Sequence, residues 1–192
     1  LIFVDGDMIL HPLFIENHIR YKDPKKARCG YRGVKLGSAY TRRLLEEKEE
    51  FSPSFFNLLT KRFRGELTNP FRGVVIHSHW IRNLFIKKKT NLPGCHFAMY
   101  RSVYEQANGM DESILEYGYE DFELGHRLTL NGIEITNVRN CCITYHLYHN
   151  QTVLPGVKQI KQRILENKSP VCRIGMQTFE QGSTNEDFKT NK

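Results

Sequence analysis

The sequence predicts an α/β protein with a mixed sheet flanked by helices, and three observations carry that prediction. Leu1 to Val4 is a continuous apolar run that stops at acids, the pattern of a strand buried in an α/β sheet. Glu120 to Leu130 sets Leu124 and Leu128 on one face of a helix that Gly132 closes. Two short apolar segments follow, Ile133 to Val138 and Cys141 to His146, so helices and strands are mixed along the chain.

The remaining elements follow in order. Leu13 to Tyr21 carries Phe14, Ile15, His18 and Ile19 at helical spacing. Asp23 to Gly37 is polar, basic and glycine-containing, and reads as a loop or irregular hairpin. Ser38 to Glu50 reads as a charged helix, and Ser52 to Arg64 as an amphipathic one built on Phe55, Phe56, Leu59 and Phe63. After a turn over Gly65 to Pro70, the run Val74, Val75, Ile76 makes Gly73 to His77 strand-like. Trp80 to Lys89 ends in Lys87, Lys88 and Lys89, a solvated charge run. Pro93-Gly94 precedes a short strand that runs to Tyr100, and Arg101 to Asn108 is a short helix stopped by Gly109. Val157, Ile160, Ile164 and Leu165 make one docking helix, and Gly175 to Lys192 is polar and loose.

Bulk properties narrow the function. The 192 residues suffice for one domain with a real core, and 40% hydrophobic content excludes a disordered chain. No apolar run reaches the length of a membrane span, and Asp5 and Asp7 interrupt the apolar start too early for a signal peptide. The first residue already lies inside the first strand, so upstream residues are expected to be missing. A net charge of +7 suits a phosphate-rich partner, although scattered Lys and Arg serve solubility equally well. Five cysteines without zinc-type spacing argue for reduced thiols in a cytoplasmic setting.

Four features bear on chemistry. Asp5-Gly6-Asp7 sets two carboxylates at a strand's C-terminal end, where open α/β sheets bind ligands and where Mg²⁺ or Mn²⁺ bridges to phosphates. An Asp-x-Asp is also an ordinary strand-end cap. Tyr119-Glu120-Asp121 opens a helix, where acids are favoured by the dipole alone. The functional alternative is a carboxylate that accepts a proton, with Tyr119 as a stacking face for a sugar. His146 and His149, three apart, can share a metal or be structural. Gly94 before a strand permits close approach to a ligand, or is a simple turn.

Taken in order, Asp-Gly-Asp, then Asn108-Gly109-Met110-Asp111-Glu112, Gly-Tyr-Glu-Asp and Tyr-His-Leu-Tyr-His resemble inverting glycosyltransferases of the GT-A fold. The resemblance is to bacterial family 2 enzymes and to the C-terminal region of the galactosyltransferase group. It implies a GT-A mixed sheet incomplete at its N-terminal side. It places the C-terminal catalytic part in residues 1–150, with a helical insertion of unknown role at 24–91, and a C-terminal helix and loose tail at 151–192. It implies Asp7 as a direct metal ligand with His149 and His146, and Asp5 on the ribose or on the metal through water. It implies Asp121 as catalytic base, Glu120 as the acceptor-orienting group, and Gly94 and Tyr119 near the donor sugar. The cofactor would be Mn²⁺ or Mg²⁺ and the donor a nucleotide-diphosphate sugar, foremost a UDP-sugar. The acceptor would be a glycan or lipid-linked glycan of bacterial surface polysaccharide or lipopolysaccharide. His96 and Phe122 stand where related sequences often carry small polar residues.

Two other classes compete. An apolar strand ending in Asp-x-Asp also resembles haloacid-dehalogenase-type phosphatases, which need a later Lys and an acidic pair around Mg²⁺. Alternatively, Arg42-Arg43, Lys61 to Arg64 and Lys87 to Lys89 form a non-catalytic basic surface for nucleic acid or anionic lipid, and no nucleic-acid motif accompanies them. The resulting expectations are peripheral membrane association at the inner face of the cell membrane, no nucleic acid, and a homodimer through an open sheet edge.

Overall fold

Two β-sheets share the chain in a computed structural model that describes residues 1–30, 32–78, 80–81, 84, 88–89, 91–115, 118–138, 140–150 and 157–178. The larger sheet holds β1 (Ile2–Val4), β3 (Lys26–Cys29), β5 (Lys88–Lys89), β6 (His96–Ala98) and β7 (Glu134–Asn137). Their order is β1-β6-β3-β7-β5. β6 pairs antiparallel with both β1 and β3, whereas β3 and β7 run parallel. The smaller sheet sets β8 (Thr144–His146) between β2 (Met8–Leu10), antiparallel to it, and β4 (Val34–Lys35), parallel to it. The helices are α1 (Phe14–Arg20), α2 (Ser38–Glu46), α3 (Phe55–Phe63), α4 (Arg101–Gln106), α5 (Glu120–Leu130) and α6 (Val157–Glu166). The predicted mixed sheet flanked by helices is therefore present, divided into two sheets.

Each sheet has its own core. Ala27, Cys29, Phe97 and Ile135 of the larger sheet pack against Val103 of α4 and Leu124 and Leu128 of α5. Each of these leucines, fully buried, stabilises the fold by ~1.5–3 kcal/mol. Val34 and Tyr145 of the smaller sheet pack with Tyr40 of α2 and Leu58 of α3. Among the described residues no helix is long and apolar enough to cross a membrane.

Several expectations are corrected. β1 is an edge strand, with Leu1 and Ile2 exposed, because among the described residues only β6 pairs with it. Asp23 to Gly37 is not a loop: alternation in Lys26–Cys29 buries Ala27 and Cys29 and makes β3 the central strand of the larger sheet. The 24–91 stretch thus belongs to both sheets and is not a purely helical insertion. Residues 74–77 form no strand; the Ile76 amide instead donates to the Asn140 carbonyl at 2.7 Å. Lys87, Tyr117 and residues 179–192 lie outside the described residues.

Buried polar clamps join the elements. Arg127, fully buried in α5, donates to both Glu123 carboxylate oxygens at 2.6 Å. It also donates to the Ala107 carbonyl and, at 2.9 Å, to that of Gly109. Asn108 in turn donates to the Cys172 and Gln177 carbonyls at 3.0 and 2.8 Å. Residues 172–178 are therefore strapped to the end of α4, and the expected loose tail does not begin at Gly175.

Candidate metal centre and active site

The smaller sheet builds the centre of the site. β2 and β8 pair with Met8 opposite His146, and the Leu147 amide donates to the Asp7 carbonyl at 3.0 Å, extending the ladder by one step. This register brings Asp7, from near the start of the chain, against His146 and His149 from far along it. Asp7 Oδ2 lies 3.2 Å from His146 Nε2 and 3.1 Å from His149 Nε2. The ligand atoms of the three residues all lie within 4.8 Å of one another. His146 is buried, Asp7 half-buried and His149 exposed, so the cluster opens to solvent on the His149 side.

Two details fit a cation there. His149 Nδ1 is 2.8 Å from the Asn150 carbonyl oxygen, which can only accept. Nδ1 therefore carries a proton and leaves Nε2 facing the Asp7 carboxylate, the arrangement that orients a metal-ligating histidine, and a proton or a metal between the two relieves their repulsion. Asp7 Oδ1, moreover, is buried without a hydrogen-bond partner among the described residues. Burial holds the His146 pKa below its ordinary value despite the opposing Asp7 charge, which keeps a lone pair available to a metal. Two imidazoles and a carboxylate depart from the all-oxygen sets that Mg²⁺ favours.

The second part of the site lies at the end of β1. The Asp5 amide donates to the Cys95 carbonyl at 3.2 Å, across from Val4 paired with His96. Next to Cys95, the Gly94 amide donates to Asp121 Oδ2, while Asp121 Oδ1 accepts from the Phe122 amide at 2.6 Å. The Phe122 bond satisfies a free amide in the first turn of α5, whereas the Gly94 bond reaches a different loop. A Cβ on Gly94 would sit 3.1 Å from Asp121 Oδ2. Burial raises the Asp121 carboxyl above its usual range, against the pull of these amides. Glu120 accepts from the Gly118 amide at 2.8 Å, and its charge bears on both Asp121 and Asp5. Partial burial and then the Asp7 charge lift the Asp5 carboxyl as well. Burial pushes the Cys95 thiol up to about 11, so it is no nucleophile at neutral pH.

The structure thus brings Asp5, Asp7, Gly94, Glu120, Asp121, His146 and His149 to neighbouring strand ends. Tyr119 is corrected: it is only 2% exposed, and its buried hydroxyl has no hydrogen-bond partner among the described residues, so it offers no open face for stacking.

Sequence reasoning missed Arg32. The β3–β4 loop that carries it is pinched at both ends. A Cβ on Gly30 would meet His96 Nδ1 at 1.8 Å, and one on Gly33, whose φ is +53°, would meet the Thr144 carbonyl oxygen at 1.8 Å. The loop is thereby pressed against β6 on one side and β8 on the other. The Arg32 charge bears on Asp5, Cys95 and His146. Half-buried Arg32 has no ion pair or hydrogen bond among the described residues, and its charge faces the site near Asp5.

A family model described as the N-terminal domain of galactosyltransferase matches residues 80–150. The match covers Gly94, Glu120, Asp121, His146 and His149 and stops short of Asp5 and Asp7. The sequence resemblance pointed to the C-terminal region of that group and to bacterial family 2 enzymes; the matching model is described as the N-terminal domain, and the match does not extend to family 2. No curated protein matches the chain. The match supports a glycosyltransferase-like domain, with which the mixed sheets are consistent, and such a domain implies a nucleotide-sugar donor and an acceptor in general.

Proposed function

We propose that this chain transfers a sugar from a nucleotide-diphosphate sugar, foremost a UDP-sugar, to an acceptor hydroxyl with inversion. The observation that carries the reading is the convergence of Asp7, His146 and His149 beside the loop that ties Asp121 to Asp5. Asp7, His146 and His149 would hold a divalent cation, and their two nitrogens favour Mn²⁺ over Mg²⁺. When bound, that cation supplies positive charge against the diphosphate leaving group.

The chain's own residues do the rest. Arg32 pairs with donor phosphate oxygens, since no ion pair or hydrogen bond among the described residues holds it. Asp5 holds the ribose, or would support the metal through a water. The Gly94 loop lies along the donor sugar and fixes Asp121 through its amide. Asp121 takes the proton from the acceptor hydroxyl as that oxygen attacks the anomeric carbon opposite the leaving group, which inverts the centre. Glu120 orients the acceptor, a glycan or lipid-linked glycan. The contribution of the fold is positioning and charge placement.

The test measures UDP release from UDP-galactose with Mn²⁺ and a panel of monosaccharide acceptors, for the wild-type chain and Asp121→Asn. Removing a general base costs about 10²–10⁴-fold in rate. The variant should lose transfer by that factor while binding UDP as the wild type does. Turnover retained in Asp121→Asn would sink the assignment.

A further inference from the structure

The helix α3 is inverted relative to an ordinary surface helix. Its inward positions are Leu58 and Lys61, and the Lys61 ammonium is held in an ion cluster with Glu49 and Glu66 while lying 4.1 Å from the centre of the Tyr40 ring. At 3.6 residues per turn, Phe56, Leu59 and Phe63 form a stripe on the opposite side. Phe56 is 80% exposed and Phe63 84%. Phe71, 64% exposed, continues the apolar surface, because its ring lies 5.7 Å from that of Phe55 at the start of the helix. Exposed Arg62, Arg64 and Arg72 border the stripe, and α3 itself contains no acid. The same imbalance extends along the sequence: residues 51–104 contain nine Lys and Arg against one acid, Glu66, which is already paired.

An apolar helical stripe turned to solvent and edged with arginines is suited to lie in the plane of a membrane interface. The phenyl rings and Leu59 would enter the boundary between headgroups and acyl chains, and the arginines would meet anionic headgroups. Charge complementarity commits the surface to an anionic bilayer. Over a polyanion such as nucleic acid the arginines alone would be engaged, and the stripe itself is apolar, with no polar group to read a base. We propose that the outward face of α3, with Phe71 and Arg72, is a docking surface for an anionic lipid bilayer. This surface lies outside the proposed transfer site and does not depend on that reading.

Co-sedimentation with vesicles tests it, using phosphatidylcholine alone and phosphatidylcholine mixed with phosphatidylglycerol, at low and high salt. The proteins are the wild type, Phe56→Ser/Phe63→Ser and Arg62→Gln/Arg64→Gln; every substituted side chain is exposed, and thermal melting confirms that the fold is kept. The wild type should sediment with the anionic vesicles and much less with phosphatidylcholine alone. The arginine variant should bind about 30-fold more weakly, from two lost surface cations. The phenylalanine variant should bind at least about tenfold more weakly at both salt concentrations. Wild-type protein left in the supernatant with anionic vesicles at low salt would overturn the proposal. So would a phenylalanine variant that binds as the wild type does, or one that duplex DNA displaces equally well, since either marks a plain polyanion surface.

Discussion

Acid should unfold this protein through one buried pair of histidines. His18 of α1 and His96 of β6 meet at 2.8 Å between their Nε2 atoms, one donating and the other accepting, so the accepting ring is neutral. Burial, reinforced by Arg28, pushes His18 down to about 4, and burial together with His18 pushes His96 to about 3. In the unfolded chain each would titrate near 6.5. Between that value and about 4 the unfolded state therefore binds more protons than the folded state, and stability falls as pH falls. The contribution is fully present above pH ~6.5 and is lost at ~1.4 kcal/mol per pH unit for each histidine. For His18 alone the loss approaches ~3 kcal/mol at pH 4.5. His18→Gln keeps a group able to hydrogen-bond His96 but removes this proton. Urea unfolding followed by circular dichroism from pH 7 to 4.5 should show a shallower loss of stability in the variant, by the slope of one proton. Parallel pH dependences in the two proteins would refute the reasoning.

Two further outcomes follow from buried or unpaired charges. Arg127→Met leaves the Glu123 carboxylate buried without its partner and should destabilise the fold by ~3–5 kcal/mol in urea unfolding; a loss below ~1 kcal/mol would mean the clamp is not structural. Arg32→Gln removes a half-buried cation that forms no ion pair or hydrogen bond among the described residues. It should weaken UDP binding about 10–100-fold while leaving the melting temperature and uridine binding unchanged, as measured by calorimetry; equal UDP affinity would remove Arg32 from the donor site.

The parts of the fold that local pattern controls were legible in the sequence. Leu124 and Leu128 in α5 face the core as their spacing requires, and Asp7, His146 and His149, far apart in the chain, lie with their ligand atoms within 4.8 Å of one another. What escaped depends on distant partners. β3 is flanked by Lys and Arg, and only its place between β6 and β7 makes the Ala27 and Cys29 alternation meaningful. Val74, Val75 and Ile76 have strand propensity but join no strand, and the Ile76 amide goes to Asn140 instead. Periodicity identified α3 but not its direction, because the ion cluster around Lys61 fixes which side turns inward. Arg32 carries no local motif; its position follows from Gly30 against His96 and Gly33 against Thr144.

The central claim is that Asp7, His146 and His149 hold a divalent cation that engages the donor. Calorimetric titration of UDP into the chain, with and without Mn²⁺, and into Asp7→Ala tests it most directly. Saturable UDP binding that requires Mn²⁺ and disappears in Asp7→Ala is the predicted result. UDP binding that ignores Mn²⁺ or persists in Asp7→Ala would contradict it, as would a wild-type chain that binds no Mn²⁺.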